Sequence, residues 1–401
     1  MEKQAMVALK YDPYDVDIDS DPYPVYRWLR DEAPLYYNEE FDFYALSRYE
    51  DCRRGLADAK RHSSRRGAIL ELVKANIDIP PGTLIFEDPP AHTAHRGLLS
   101  RVFTPRRVAA LEPKIREFCA RSLDPLIGVT EFDLVADFAA EMPMRVIGML
   151  LGIPESEQVG IRDTADAGLR TEAGRPMEIS QDAPISTDMF AEYIDWRLDH
   201  PSEDLMTELL TAEFEDETGT IRRLTRDEAL MYVTVVAGAG NETTTRLIGW
   251  AGKVLAENPD SRRELVADPT LVPSAIEELL RYESPGPHIA RYVPDDVVYH
   301  DQTVPAGSAL LFVVAAANRD ERRFADPDRY DIHRDLSQHL GFGHGIHFCL
   351  GAALARLEGR IALEELLSRF PEWEVDLSRA RLAPTSTVRG WESLPVRIPA
   401  R

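Results

Sequence analysis

The feature that most constrains this chain is one unbroken helical pattern near its middle. Thr225-x-x-Glu228 has the form of a capping box, and apolar periodicity then continues until Asn258-Pro259 stops it. That is roughly 33 residues, or about 50 Å at ~1.5 Å per residue, enough to cross a whole domain. Everything else must be built around such a rod. Residues 105–123 and 350–370 are also helical in pattern, and Leu350, Leu354, Leu357, Ile361 and Leu366 share one face of the second. Strand-like runs are short: Phe43–Leu46, Val297–Tyr299, 309–314 and pieces near the C-terminus. No linker, repeat or charge block divides the chain. The expectation is a mainly α fold with a minor β part, a single domain over residues 1–401.

Charge narrows the partners. With 46 Lys and Arg against 69 Asp and Glu, the net charge of −23 repels phosphate backbones and anionic lipid, so nucleic acid is not an expected partner. Residues 1–12 lack the charged-then-apolar pattern of a secretory signal, and no run reaches the ~18–20 apolar residues of a membrane span. Cys52, Cys119 and Cys349 are an odd, sparse set that fits a reducing cytosol. A soluble cytoplasmic protein without a membrane anchor is expected.

Three segments carry chemistry. The first is Leu340-Gly-Phe-Gly-His-Gly-Ile-His-Phe-Cys-Leu-Gly351, placed just before a helix. Gly341, Gly343 and Gly345 let the backbone turn tightly and approach a ligand. Cys349 lies where a helix N-terminus lowers a thiol's pKa, and a thiolate held there is a good axial ligand for haem iron. A buried core cysteine, or a zinc or copper site from His339, His344, His347 and Cys349, are the competing readings. The second is Glu278-Leu-Leu-Arg281, whose ends share a helix face and can pair. The third is His92-x-x-x-Arg96, one helical turn apart and able to face one carboxylate. Within the long helix, Gly238 and Gly240 each cost ~1 kcal/mol relative to alanine, so something packs against bare backbone there, a ligand or a neighbouring helix.

Together, Phe342-Gly-His-Gly-Ile-His-Phe-Cys-Leu-Gly351, Glu278-Leu-Leu-Arg281 and Ala239-Gly-Asn-Glu-Thr-Thr244 resemble the cytochrome P-450 family of haem-thiolate monooxygenases in spacing and order. The resemblance runs from Asp21-Pro-Tyr-Pro to the C-terminus and is closest to the soluble bacterial branch. It implies the P-450 fold, with the long helix over haem b (iron protoporphyrin IX) and Cys349 as the iron ligand on the proximal side. His92, Arg96, Arg291 and His347 would hold the haem propionates, and Glu278 with Arg281 would be a structural ion pair. Glu242 and Thr243 match the family's acid–alcohol pair, the hydroxyl orienting and the acid supplying protons for the reduction of dioxygen.

The resemblance also sets expectations for substrate and electron supply. Residues 68–86 would roof the distal pocket, with Val235, Val236 and Ala239 on the helix side and His288, Ile289 and Ala290 opposite. An apolar small molecule would bind there, with His288 as a polar anchor; fatty acids, terpenoids, steroids and macrolide-like metabolites stay open. Residues 163–186 would form an entrance lid. Without a flavin or iron–sulfur motif of its own, the chain would take NAD(P)H electrons from a ferredoxin and its reductase and act as a monomer. Arg96, Arg101, Arg106, Arg107, Arg356 and Arg360 would form a basic patch that steers an acidic ferredoxin. A peroxide-driven peroxygenase and a non-catalytic haem sensor or carrier are the alternatives.

Overall fold

The computed structural model describes residues 10–77, 79, 82–101, 103–179, 187–335 and 338–399. The long helix spans Arg226–Glu257 and opens with the expected capping box: the Thr225 hydroxyl accepts from the Glu228 amide, and the Glu228 carboxylate accepts from the Thr225 amide. Asn258 ends it, and Pro259 begins the next helix. Most of its turns are buried, because helices Glu141–Leu151, Glu155–Leu169, Val272–Tyr282 and Ala352–Arg369 all pack on it. Gly240 is the close approach that its sequence cost implied, and the helix-contact reading accounts for it: a Cβ there would lie 2.6 Å from Ile147 Cδ1. Gly238 meets nothing within 4 Å.

The β part is small. Its main sheet runs Leu35–Asn38, Phe43–Leu46, Ala309–Phe312, Ile289–Tyr292, with only the central pair parallel. A second sheet brings Glu374–Val375, Pro395–Arg397 and Glu131–Asp133 together. One apolar core surrounds the long helix, and another lies between the main sheet and the N-terminal helix Tyr23–Glu32. Among the described residues no helix is long and apolar enough to cross a membrane.

Some boundaries differ from the sequence pattern. Residues 105–123 form two helices, Pro105–Ala109 and Glu112–Leu123, because Ala110 and Leu111 turn the chain ahead of Pro113. The C-terminal helix begins at Ala352, and the last strand of the main sheet stops at Phe312. Of the expected lid, residues 163–169 simply complete helix Glu155–Leu169, Arg170 bridges to Thr385, and 180–186 lie outside the described residues.

Glu278 and Arg281 form a bidentate pair with both side chains fully buried, Nε and Nη2 each 2.7 Å from a carboxylate oxygen. The pair also reaches outward. Arg281 donates to the carbonyls of Asn318, Pro327 and Arg329, while Glu278 accepts from the Asp331 amide and from Arg334. Removing one partner of such a pair leaves an uncompensated buried charge, whereas removing both is far milder. Arg281→Leu should therefore lower the unfolding free energy by about 3–5 kcal/mol. Glu278→Gln/Arg281→Met should cost clearly less, as read from urea unfolding of the two proteins.

Candidate active site

The cysteine loop is set by backbone geometry. Gly343 and Gly345 adopt φ of +71° and +74°, in the left-handed region where a side chain is strained. A Cβ on Gly345 would also lie 2.6 Å from the Leu56 carbonyl oxygen. A short 3-10 turn over Gly345–His347 follows, and the Cys349 amide closes the loop on the Phe342 carbonyl at 2.9 Å. The Cys349 thiol then stands two residues ahead of the Gly351 cap of helix Ala352–Arg369. Burial raises its pKa; the Gly351 amide, Arg96 and Arg356 work against that shift without overcoming it. The helix N-terminus alone therefore does not make a thiolate here. Of the competing metal set, His339 is turned away to Glu277, at 3.0 Å, and no metal-holding group of three His, Cys, Asp or Glu exists among the described residues.

Cys349 opens into a cavity of about 1520 Å³, its solvent mouth included, between the cysteine loop and the long helix. Thr243 lies on the helix wall, one turn beyond Ala239. Val235, Val236 and Ala239 line the cavity as expected, as does Ile289. His288 and Ala290 do not. A strand turns alternate side chains to opposite faces, so Ile289 faces the cavity while Ala290 packs fully buried in the sheet core. His288 faces a separate small pocket with Tyr11, Tyr26, Thr385 and Ser386, so it anchors nothing in the cavity. Of the expected roof only Leu84 and Ile85 reach it. Leu70 and Val73 belong to the core, and residues 78, 80 and 81 lie outside the described residues.

Two arginines and two histidines converge beside the cysteine loop. The rings of His92 and His347 are 4.4 Å apart, Arg96 donates to the Phe348 carbonyl at 2.6 Å, and Arg291 donates to the Ala290 carbonyl at 2.8 Å. Burial lowers His347 to about 3, with Arg291, His92 and Arg96 adding their repulsion. Burial likewise lowers Arg291 to about 10, against the pull of Asp88. His92 Nε2 is buried and has no partner. Burial keeps the two imidazoles neutral, while Arg96 and Arg291 stay charged with only backbone carbonyls as hydrogen-bond partners, an arrangement that an anionic ligand relieves.

On the long helix, the Thr243 hydroxyl donates to the Ala239 carbonyl at 2.8 Å, the local bond common for a helical threonine. Glu242 points away from the cavity lining. Arg246 Nη2 holds its Oε1 at 2.8 Å, while Oε2 is buried without a partner. Burial pushes its carboxyl above the ordinary range, against the pull of Arg246.

Sequence reasoning missed Tyr232 and Glu358, which both reach the cavity. Tyr232 is one turn before Val236, so the helical period pointed to it. Glu358 is an acid set into the apolar side of helix Ala352–Arg369, one turn beyond Leu354. It is almost fully buried, with Oε1 unpartnered, and burial pushes it up to about 8, the Thr244 hydroxyl working against that shift.

Comparison with known proteins agrees with this arrangement. The family model described as Cytochrome P450 matches residues 175–387. Cytochrome P450 123 of Mycobacterium tuberculosis is 39% identical over 398 residues, 98% of each chain. The solved structure of CYP109Q5 from Chondromyces apiculatus superposes with a TM-score of 0.85 at 35% identity, covering 98% of this chain and 99% of that one. That of CYP109E1 from Bacillus megaterium, in complex with testosterone, has a TM-score of 0.85 at 29% identity, covering 96% and 99%. The chain belongs to the cytochrome P450 family. It is an oxidoreductase of the monooxygenase type that binds haem b, and the cavity's thiol with the arginines and histidines beside it fit an iron porphyrin with two carboxylates.

Two outcomes test this geometry. Arg291→Leu removes a buried cation whose burial cost outweighs the pull of Asp88, so the haem-free protein should keep or gain stability. The holoprotein should lose haem about tenfold faster, one charged hydrogen bond weaker, when haem transfer to a myoglobin acceptor is followed. Glu358 keeps its proton to about pH 8 in the folded chain, against the ordinary 4.5. Stability linked to it is complete below the lower value and is lost as pH rises through the upper one. Glu358→Gln should flatten that decline in urea midpoints measured from about pH 5 to about pH 9.

Proposed function

We propose that this chain hydroxylates an apolar small molecule, a fatty acid, terpenoid, steroid or similar metabolite, using dioxygen and electrons from a ferredoxin. The observation that carries this reading is the cavity itself. A cysteine thiol and a threonine hydroxyl share it, and aliphatic side chains form most of the remaining wall. Residues 1–401 act as one haem-thiolate domain and one monomer in the cytoplasm.

Cys349 Sγ would hold the haem iron, and His92, Arg96, Arg291 and His347 would hold the two propionates. Bound haem supplies the binding and reductive activation of dioxygen. The chain does the rest. Leu84, Ile85, Val235, Val236, Ala239 and Ile289 gather the apolar substrate and exclude bulk water. The Thr243 hydroxyl, released from the Ala239 carbonyl, holds a water against the wall, and the Glu242 carboxyl supplies its proton.

The electron donor is a ferredoxin reduced by an NAD(P)H-dependent reductase, and its docking face needs revision from the expected basic patch. Arg356 is bonded to Glu277, Arg360 to Glu112 and Glu364, and Arg107 to Glu208, so these three are neutralised within the chain. Arg96 is turned to the cysteine loop. Arg101 and Arg106 remain as exposed basic groups beside an apolar groove formed by Pro105, Val108, Ala109, Ile276, Ala353 and Leu357. Docking is therefore mainly apolar, with modest dependence on salt.

The haem-loaded ferric protein, titrated with fatty acids, terpenoids and steroids, should move from low to high spin with one class. No response to any of them overturns the substrate reading. Thr243→Ala should keep haem and that spin response yet lower product per reductant about tenfold in favour of peroxide. Unchanged coupling removes Thr243 from the relay, and turnover driven by peroxide but not by reductant selects the peroxygenase alternative.

A further inference from the structure

Glu242 is one residue from the cavity wall, and its own surroundings are polar. Asn241, beside it on the long helix, donates from Nδ2 to Asp166 Oδ1 of helix Glu155–Leu169 at 3.3 Å. Arg246 spans the same region, binding Glu242 Oε1 at 2.8 Å and the Trp391 carbonyl at 2.6 Å. Three buried atoms in this group have no partner: Asn241 Oδ1, Glu242 Oε2 and Arg246 Nε. Buried polar atoms are almost always satisfied by protein or ordered water. Two acceptors and one donor are the complement of one water molecule, which donates twice and accepts once.

Asp166 lies between this polar group and the outer face of helix Glu155–Leu169. It is half-buried, with exposed Asp163, Ala167 and Arg170 around it on the outer face of its helix. Burial raises its carboxyl, against the pull of Arg246 and Arg162. The charged groups facing it are Glu242 and Arg246 from the long helix and Arg162, Asp163 and Arg170 from its own; Glu392 of strand Trp391–Ser393 is taken up by Arg170. The end of its helix is anchored where Arg170 bridges to Thr385 and the Thr171 amide donates to the Pro384 carbonyl at 2.8 Å.

We propose that Asp166 is the solvent-side proton donor of this site, passing protons through water held by Asn241, Glu242 and Arg246 to the Glu242 carboxylate. The inference rests on the reading of Glu242 as the proton supplier. Each transfer moves one proton from the Asp166 carboxyl to water and from that water to Glu242 Oε2, and Asp166 is reloaded from bulk water. No electron moves, and no further reactant is required. Arg246 occupies only one Glu242 oxygen, so the other stays open to the water. Asn241 is a positioning residue that holds Asp166 toward the helix.

The test compares Asp166→Asn, Asp166→Glu and Glu242→Gln in the haem-loaded enzyme with the substrate that gives the spin shift. Asp166→Asn should leave that shift intact, lower product per reductant about tenfold and raise the solvent hydrogen isotope effect on turnover. It should also delete one titrating carboxyl band from the infrared spectrum, a readout independent of turnover, and Glu242→Gln should move the pH at which that band titrates. Asp166→Glu should restore coupling. Normal coupling in Asp166→Asn, with coupling lost in Glu242→Gln, overturns the role of Asp166 alone; normal coupling in both overturns the reading of Glu242 as well. If Asp166→Asn disturbs the seating of its helix, Asp166→Glu decides: recovered coupling supports the proposal, and failure with the carboxyl band present refutes it.

Discussion

The Arg281 guanidinium is the contact on which the rest of the structure depends. It is held by Glu278 on its own helix, and its remaining donors fix the carbonyls of Asn318, Pro327 and Arg329. Those residues belong to a long stretch with little regular structure, where backbone groups would otherwise lack partners. Asn318 carries the order onward: its side-chain oxygen accepts from the Leu340 amide, and Leu340 begins the cysteine loop. A charge buried behind the site thus sets the position of the thiol in front of it. The cost of desolvating both ions is offset by hydrogen bonds to backbone that no apolar pair could supply.

The long helix and this charged brace divide the work. The helix supplies a wall in which Gly240 admits Ile147, and it places Val236, Ala239 and Thr243 at helical spacing along the cavity beside Val235. The loop supplies a rigid backbone whose two left-handed glycines bring it against Leu56 and Ala57. Neither element makes a site alone. The basic side chains come from two further places in the chain, helix Ala91–Ser100 and strand Ile289–Tyr292, and from the loop itself.

Much of this was legible in the sequence, where local rules decide the structure. The capping box fixed one end of the long helix, Asn258-Pro259 the other, and the spacing of Glu278 and Arg281 implied their pairing. Legibility failed where tertiary contact decides. His288 and Ala290 looked equivalent to Ile289 in a linear reading, but strand alternation turned them to other neighbours. The arginines looked like a basic patch because most of their acids are remote in sequence, Glu208 for Arg107, Glu277 for Arg356 and Glu112 for Arg360. Glu358 was hidden for the opposite reason: a lone acid in an amphipathic helix reads as solvated surface until its burial is known.

The gathering of His92, Arg96, Arg291 and His347 has a consequence for the protein's life in the cell. Burying these poorly partnered basic groups is a cost carried by the folded chain until an anionic cofactor arrives, so cofactor binding adds directly to the stability of the fold. A newly made chain that waits for haem spends more of its time locally open, which is the state that proteases recognise. The haem-free chain is thus the more easily degraded of the two forms.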